Sequence, residues 1–372
     1  MSQPSRNPDP NPSPSPGGTG GQIPVLVLAG FLGSGKTTLL NHLLHHSGGS
    51  RIGAIVNDFG AIEIDAMAVA GALGDSTVSL GNGCLCCAVD AGELDLYLDR
   101  LTRPGVGIDV IVIEASGLAE PQELVRMVLA SENPRVVYGG LVEVVDAAEF
   151  DDTRARHPEI DRHLALADLV VVNKADRADD AERVLATVRS LVDGAAVVPA
   201  TYGRVDPEFL FERRPHEERI GQLSFDDLST ADEDDPHGRH AGHLHADYDS
   251  LSFVSDVPLD PRRLMRFLDS RPEGLYRIKG YVDFGPHDRR NRYAVHAVGR
   301  FLRFYPERWP AGEQPRLTQL VLIGSGIDAP LLGKELQACK NDAPHADEHG
   351  MWGVLRYVRE PEDEQGSEEP PV

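Results

Sequence analysis

The sequence predicts an α/β fold: a parallel sheet built around a phosphate-binding loop, followed by a smaller α+β domain with a mainly antiparallel sheet. Three observations carry that expectation. Short continuous apolar runs alternate with helical stretches over the first 215 residues, as buried parallel strands and their crossover helices do. The stretch GFLGSGKTT follows the first apolar run and opens the first helix. Past residue 250 a different rhythm begins.

Taken in order, IPVLVLAG reads as a buried strand bounded by glycine, and KTTLLNHLLHH as a helix with leucine at helical spacing. RIGAIVND, DVIVIEASG, GGLVEVVDA, LADLVVVNKAD and AAVVPA read as further strands, with AGELDLYLDRL, PQELVRMVLA and DDAERVLATVRSLV as helices among them. This first domain is placed at 23–215. Residues 216–249 are acidic and histidine-rich with few apolar residues, and read as a linker. In 250–360, LSFVSD, YRIKGYVDF, RYAVHAVGRFLRFYP and RLTQLVLIGSG read as strands, and VPLDPRRLMRFLDSR and DAPLLGKELQACK as helices. The Pro/Ser/Gly-rich stretch 1–22 and the acidic stretch 361–372 are expected to be disordered tails.

Composition narrows the function. The 372 residues are 41% hydrophobic and carry a formal net charge of -23. A surface so acidic argues against nucleic acid and against an anionic membrane as partners. A nucleotide is still accessible to it, because backbone N–H groups and one lysine suffice locally. No apolar run approaches the ~20 residues a bilayer requires, and residues 1–22 lack the apolar core of a secretory signal. Three of the four cysteines crowd into GNGCLCC, which is no disulfide framework and suits reduced thiols in a cytoplasmic protein.

Gly30 to Thr38 satisfies G-x-x-x-x-G-K-[ST], with a strand before it and a helix after it. Gly30, Gly33 and Gly35, with Ser34 and Thr38 between and beyond them, let the backbone turn its N–H groups onto phosphates. Lys36 would place a charge on the β- and γ-phosphates, and Thr37 a hydroxyl on Mg²⁺. In VVNKAD, Asp176 can accept from both N1–H and N2–H₂ of guanine, a donor pair adenine lacks. Asn173 can hold the loop or the purine edge, and Lys174 can lay its stem on the base. These features point to GTP. Glu114, at the end of IVIE, can orient water in the Mg²⁺ shell or the attacking water, and Gly117 can offer its N–H to the γ-phosphate. Asp58, in IVNDFG, could also reach Mg²⁺.

Cys84, Cys86 and Cys87 can supply two or three thiolates to one soft or borderline ion. Zn²⁺ is the default, and thiolates accept Co²⁺ and Ni²⁺ as well; a redox sensor is the rival reading. His237, His240, His243 and His245 stand among acids in the linker and would make a weak accessory site or collecting arm. His42, His45 and His46, in the first helix, are expected to face solvent.

GFLGSGKTTLL, GNGCLCC, IEASGLAEP and VVNKAD, in this order, resemble the CobW family of P-loop GTPases, which are metal chaperones and metallocentre-assembly GTPases. YRIKGYVDF and LVLIGSGIDAPLLGKELQAC resemble that family's C-terminal domain. The resemblance implies that Cys84, Cys86 and Cys87 form the metal site, that Lys36 and Thr37 contact phosphate and Mg²⁺, and that Asn173 and Asp176 contact guanine. It further implies a GTP-hydrolysing zinc metallochaperone whose C-terminal domain docks a client metalloprotein or a second protomer. A cobalt- or iron-insertion activator, of the nitrile hydratase or cobalamin pathway type, and a redox-sensing regulatory GTPase are the alternatives. Where the family usually shows N-E-F-G-E, this chain has Asn57, Asp58, Phe59, Gly60 and Ala61. Asp58 keeps the charge on a shorter stem and Ala61 lacks a carboxylate, although Glu63 stands two residues on.

Overall fold

The structure, a computed structural model, describes residues 22–47, 50–56, 78–79, 91–103, 105–211, 248–270, 272–310, 315–341 and 349–358. Asp58, the cysteine triplet, the four linker histidines and nearly all of the expected tails and linker lie outside these residues.

The first unit is a seven-stranded sheet in the order β3-β2-β4-β1-β5-β6-β7. Its strands are β1 (Ile23–Ala29), β2 (Ile52–Val56), β3 (Val78–Ser79), β4 (Val110–Glu114), β5 (Val136–Asp146), β6 (Leu169–Asn173) and β7 (Ala196–Pro199). Every pairing is parallel, so one edge of the sheet collects all the strand C-termini. β2, β4 and β6 are buried along their whole length, which is why they read as unbroken apolar runs rather than alternating ones.

Helices cover both faces. On one face, α1 (Lys36–His45) seals Leu39, Leu40 and Leu43 against Leu28, Val112 and Val144. On the other, α2 (Ala91–Leu101) and α3 (Pro121–Ala130) bury Leu94, Leu98, Leu124 and Val128. Two further short helices, α4 (Phe150–Arg156) and α5 (Ile160–Leu166), lie between β5 and β6, where the sequence reading placed no element. They pack through Phe150, Ile160 and Leu164 in a cluster with α6 (Ala181–Leu191). The short helix α7 (Pro207–Leu210) closes this unit.

The second unit is a five-stranded sheet in the order β11-β10-β9-β12-β8, built from β8 (Asp249–Ser255), β9 (Leu275–Val282), β10 (Asn291–Val298), β11 (Phe301–Arg308) and β12 (Thr318–Gly324). Its pairings are all antiparallel. The run read as RYAVHAVGRFLRFYP folds back on itself as the β10–β11 hairpin, turning at Gly299 with φ +49°. α8 (Pro261–Asp269) and α9 (Ala329–Ala338) cover one face of this sheet, joined by the short α10 (Trp352–Leu355). Cys339, just past α9, is buried in that core; burial pushes its thiol up to about 11, so it is an inert packing residue and no metal ligand.

The two units share a core. Tyr276 and Val298 of the second sheet belong to the same buried cluster as Leu39 and Phe209, with the Phe209 and Tyr276 rings stacked at 5.2 Å. A β-bulge in β5 opposite Val25 and Leu26 makes room for this approach. Gly140 adopts φ +117°, and a Cβ there would fall 2.8 Å from Val298. Beside it, the Asp168 carboxylate accepts from the Tyr138 hydroxyl (2.5 Å), the Leu141 amide (2.9 Å) and, across the seam, the Arg300 amide (3.4 Å). Burial and that carboxylate raise the Tyr138 phenol far above its usual range, so it stays a donor.

Candidate functional site

The site lies where β1, β4, β5 and β6 end. Between β1 and α1 the chain makes a tight loop with Gly30, Gly33 and Gly35 all at positive φ (+142°, +75° and +104°). Gly35 shows why the glycine is required: a Cβ there would stand 2.2 Å from the Asn173 amide. α1 starts directly after it at Lys36, so its unpaired N–H groups and its dipole face the loop's concavity. The Lys36 ammonium folds back onto the carbonyls of Gly30 (2.9 Å) and Phe31 (3.3 Å). An anion seated in the loop would meet the helix N-terminus, the loop amides and this ammonium together.

Thr37, the next residue, donates its hydroxyl to Glu114 Oε1 at 2.7 Å. Glu114 ends β4 and is buried. A hydroxyl and a carboxylate this close, beside a phosphate cradle, are the oxygen donors a hard cation such as Mg²⁺ uses, so the residues present fit that ion. Gly117 presses against the loop from the same side: a Cβ on it would come within 2.8 Å of the Leu32 amide nitrogen. Glu114 and Gly117 thus both lie beside the phosphate loop.

β6 delivers the other wall. Asn173 is 1% exposed and uses both ends of its amide within the protein, donating to the Ser34 carbonyl (2.9 Å) and accepting from the Gly203 amide (2.9 Å). Of its two expected tasks, holding the loop is the one it performs. Lys174 sits at φ 57° and donates to the Gly33 carbonyl (2.7 Å) and to Asp146 Oδ2 (2.6 Å). The left-handed backbone is held by those two contacts. Asp176 follows in a single exposed 3-10 turn, Ala175–Arg177. Asp146, at the end of β5, was missed. An acid closing an apolar strand was its signal, the same signal that marked Glu114.

Among the histidines of α1, His45 and His46 are exposed, but His42 departs from the expectation. It is half-buried, stacks on His46 at 4.5 Å and hydrogen-bonds the Val205 carbonyl at 3.1 Å. Burial, then the neighbouring His46, lowers its pKa, so it ties α1 to the 201–206 loop as a neutral ring. Among the described residues no group of three or more His, Cys, Asp or Glu side chains could hold a metal ion. Nor is any described helix long and apolar enough to cross a membrane.

A buried strand, a glycine loop wrapped over a helix N-terminus and a lysine at the first helical position define a P-loop nucleotide-binding domain on a parallel sheet. Comparison with known proteins agrees. Residues 24–199 match the CobW/HypB/UreG nucleotide-binding domain, and residues 248–340 the cobalamin synthesis protein cobW C-terminal domain. The zinc chaperone CobW of Pseudomonas aeruginosa is 32% identical over 359 residues, spanning 85% of this chain and 91% of that protein. The zinc chaperone YjiA of Escherichia coli is 28% identical over 316 residues, spanning 81% and 94%. Among solved structures, the Zn(II)-bound YjiA GTPase from E. coli is similar with a TM-score of 0.41 and 24% identity, over 86% of this chain and 99% of that one. The chain belongs to the CobW family.

Proposed function

We propose that this protein is a GTP-hydrolysing metallochaperone of the cytoplasm, which binds Zn²⁺ through Cys84, Cys86 and Cys87 and passes it to a client metalloprotein under the control of its nucleotide. Domain limits at 23–215 and 250–360, joined by the histidine-rich linker, belong to the same reading. One observation carries it. Ser79, Val56, Glu114 and Leu28 stand abreast in neighbouring strands. Val56 and Ser79, the last described residues before Asp58 and before the cysteines, therefore lie in register with Glu114, the partner of Thr37. A change at the γ-phosphate is thus a change next to the roots of the metal-binding segment. The curated relatives named as zinc chaperones match along most of their length, which supports zinc as the cargo.

In this reading the loop amides, the α1 N-terminus and Lys36 hold the triphosphate, and Asp176 selects guanine. Thr37 and Glu114, with Asp58 as a further candidate, would hold Mg²⁺, which would supply positive charge to offset that of the phosphates. Glu114 and the Gly117 amide orient the attacking water and the γ-phosphate. Positioning and charge stabilisation carry most of phosphoryl transfer, so a slow intrinsic turnover suffices for a switch. Hydrolysis removes the group that Gly117 senses and relaxes the segments beside it, loosening the ion for transfer.

The test is zinc content. With Cys84, Cys86 and Cys87 all changed to serine, the protein purified under reducing conditions should lose its tightly bound zinc and still hydrolyse GTP in the absence of zinc, because the phosphate contacts come from Gly30 to Thr37, Glu114 and Gly117. Undiminished zinc in the triple variant would contradict the assignment.

A further inference from the structure

Glu143 is a charged residue inside the otherwise apolar β5, and the reading above leaves it without a task. The sheet register pairs it with Ala29, the last residue of β1 before the phosphate loop. It is 2% exposed, and its Oε2 makes no hydrogen bond. The residue lines a cavity of about 300 Å³ together with Phe31, Leu32, Gly33 and Ser34 of that loop.

Several charged groups surround this cavity. Lys36 is not in its lining, but its ammonium rests on the carbonyl of Phe31, which is, and on that of Gly30, the residue after the register partner of Glu143; it is the cation that acts on Glu143. Asp146 and Lys174 line the same cavity but are paired with each other at 2.6 Å. Glu149 and Arg156 line it from the two ends of α4, while α5 contributes only Ile160. Across β1, Glu114 is engaged by Thr37. An ionised carboxylate with a buried oxygen that makes no hydrogen bond is disfavoured. Burial accordingly pushes Glu143 up to about 8, against the pull of Lys36.

We propose that Glu143 is a positioning residue for nucleotide binding that acts through Lys36. Protonated, it leaves the ammonium free to exchange the Gly30 and Phe31 carbonyls for phosphate oxygens. Ionised, it is an internal anion that competes with the phosphates for that ammonium. This inference rests on the nucleotide reading given above.

The sign follows from linkage. A bound triphosphate adds negative charge nearby and draws Lys36 away from Glu143, so the carboxyl holds its proton more tightly in the complex than in the free protein. Nucleotide binding therefore takes up a proton. Affinity is full below the free-state value of about 8 and falls as pH rises through it, by at most about tenfold per pH unit.

The Kd of the full chain for a fluorescent GTP analogue with Mg²⁺ is to be measured from about pH 6.5 to about pH 9.5, for the natural protein and for Glu143→Gln. The isosteric amide cannot ionise, and any titration of the nucleotide itself affects both proteins alike. The ratio of the two Kd values should be flat up to about pH 7.5 and then climb toward tenfold per unit above about pH 8. Calorimetry of the natural protein near pH 8, in buffers of different ionisation enthalpy, gives a readout that needs no variant: it should record net proton uptake on GTP binding. A ratio independent of pH, or no proton uptake, overturns the role of Glu143 and leaves the nucleotide reading standing. Absence of binding by both proteins at every pH overturns the two together.

Discussion

Replacing Lys36 by alanine is expected to lower GTP hydrolysis by about 10³-fold or more, the range seen when a cation aimed at transferring phosphoryl oxygens is removed. The ammonium now rests on the Gly30 and Phe31 carbonyls, and no other cation contacts the loop from inside its curve among the described residues. Lys174 reaches the loop from outside and is paired with Asp146, so it cannot take over. The fold should survive: Leu39, Leu40 and Leu43 anchor α1 independently of Lys36, and the loop's outer wall is tied by Asn173 and Lys174. Single-turnover hydrolysis by a folded Lys36→Ala protein within tenfold of the natural rate would contradict the assignment.

The second large effect concerns the base. Asp176 lies three residues past Asn173, whose amide donates to the Ser34 carbonyl and accepts from the Gly203 amide. In the proposed reading, Asp176 is the residue that selects guanine, with Asn173 keeping one N–H and one lone pair beyond its two bonds inside the protein. Changing it to asparagine replaces an acceptor pair by one acceptor and one donor group. With GTP, one charge-assisted hydrogen bond of about 1.5–3 kcal/mol is forfeited, the other loses its charge, and the new amide N–H₂ faces a guanine donor, which costs about 1–3 kcal/mol more. kcat/KM for GTP should fall about 10²–10⁴-fold, while the xanthine nucleotide, whose 2-oxo group accepts where guanine donates, becomes the preferred substrate. A competition assay with both nucleotides decides it, and an unchanged preference for GTP would remove Asp176 from the base site.

How much of this was legible beforehand depended on the physical signal each part leaves in the sequence. β2, β4 and β6 announced themselves because strands buried on both faces have no polar positions to interrupt the run. α4 and α5 did not, because each has only seven residues and together they bury just Phe150, Ile160 and Leu164, too few to establish a helical period. β3 is two residues long and leaves no pattern. In the site, Gly30 to Thr37 was readable because glycine and lysine at fixed spacing have one common cause, a backbone wrapped on phosphate. Asp146 carries only the weaker signal of an acid closing an apolar strand, and Glu143, inside that strand, carries none. The first matters only because Lys174 folds onto it, and the second because the sheet register sets it beside the start of the phosphate loop. Both are tertiary facts. The half-buried state of His42 likewise depends on a loop that begins more than 150 residues later, at Thr201.

In the proposed mechanism, nucleotide state and zinc affinity are one equilibrium. A zinc titration with a competing chelator, performed on the full chain saturated either with a non-hydrolysable GTP analogue and Mg²⁺ or with GDP and Mg²⁺, tests it most directly. Zinc should bind tighter in the triphosphate state by about 5–150-fold, the usual span of coupling between two sites, and zinc should tighten the analogue by the same factor. Equal zinc affinity in the two nucleotide states would contradict it.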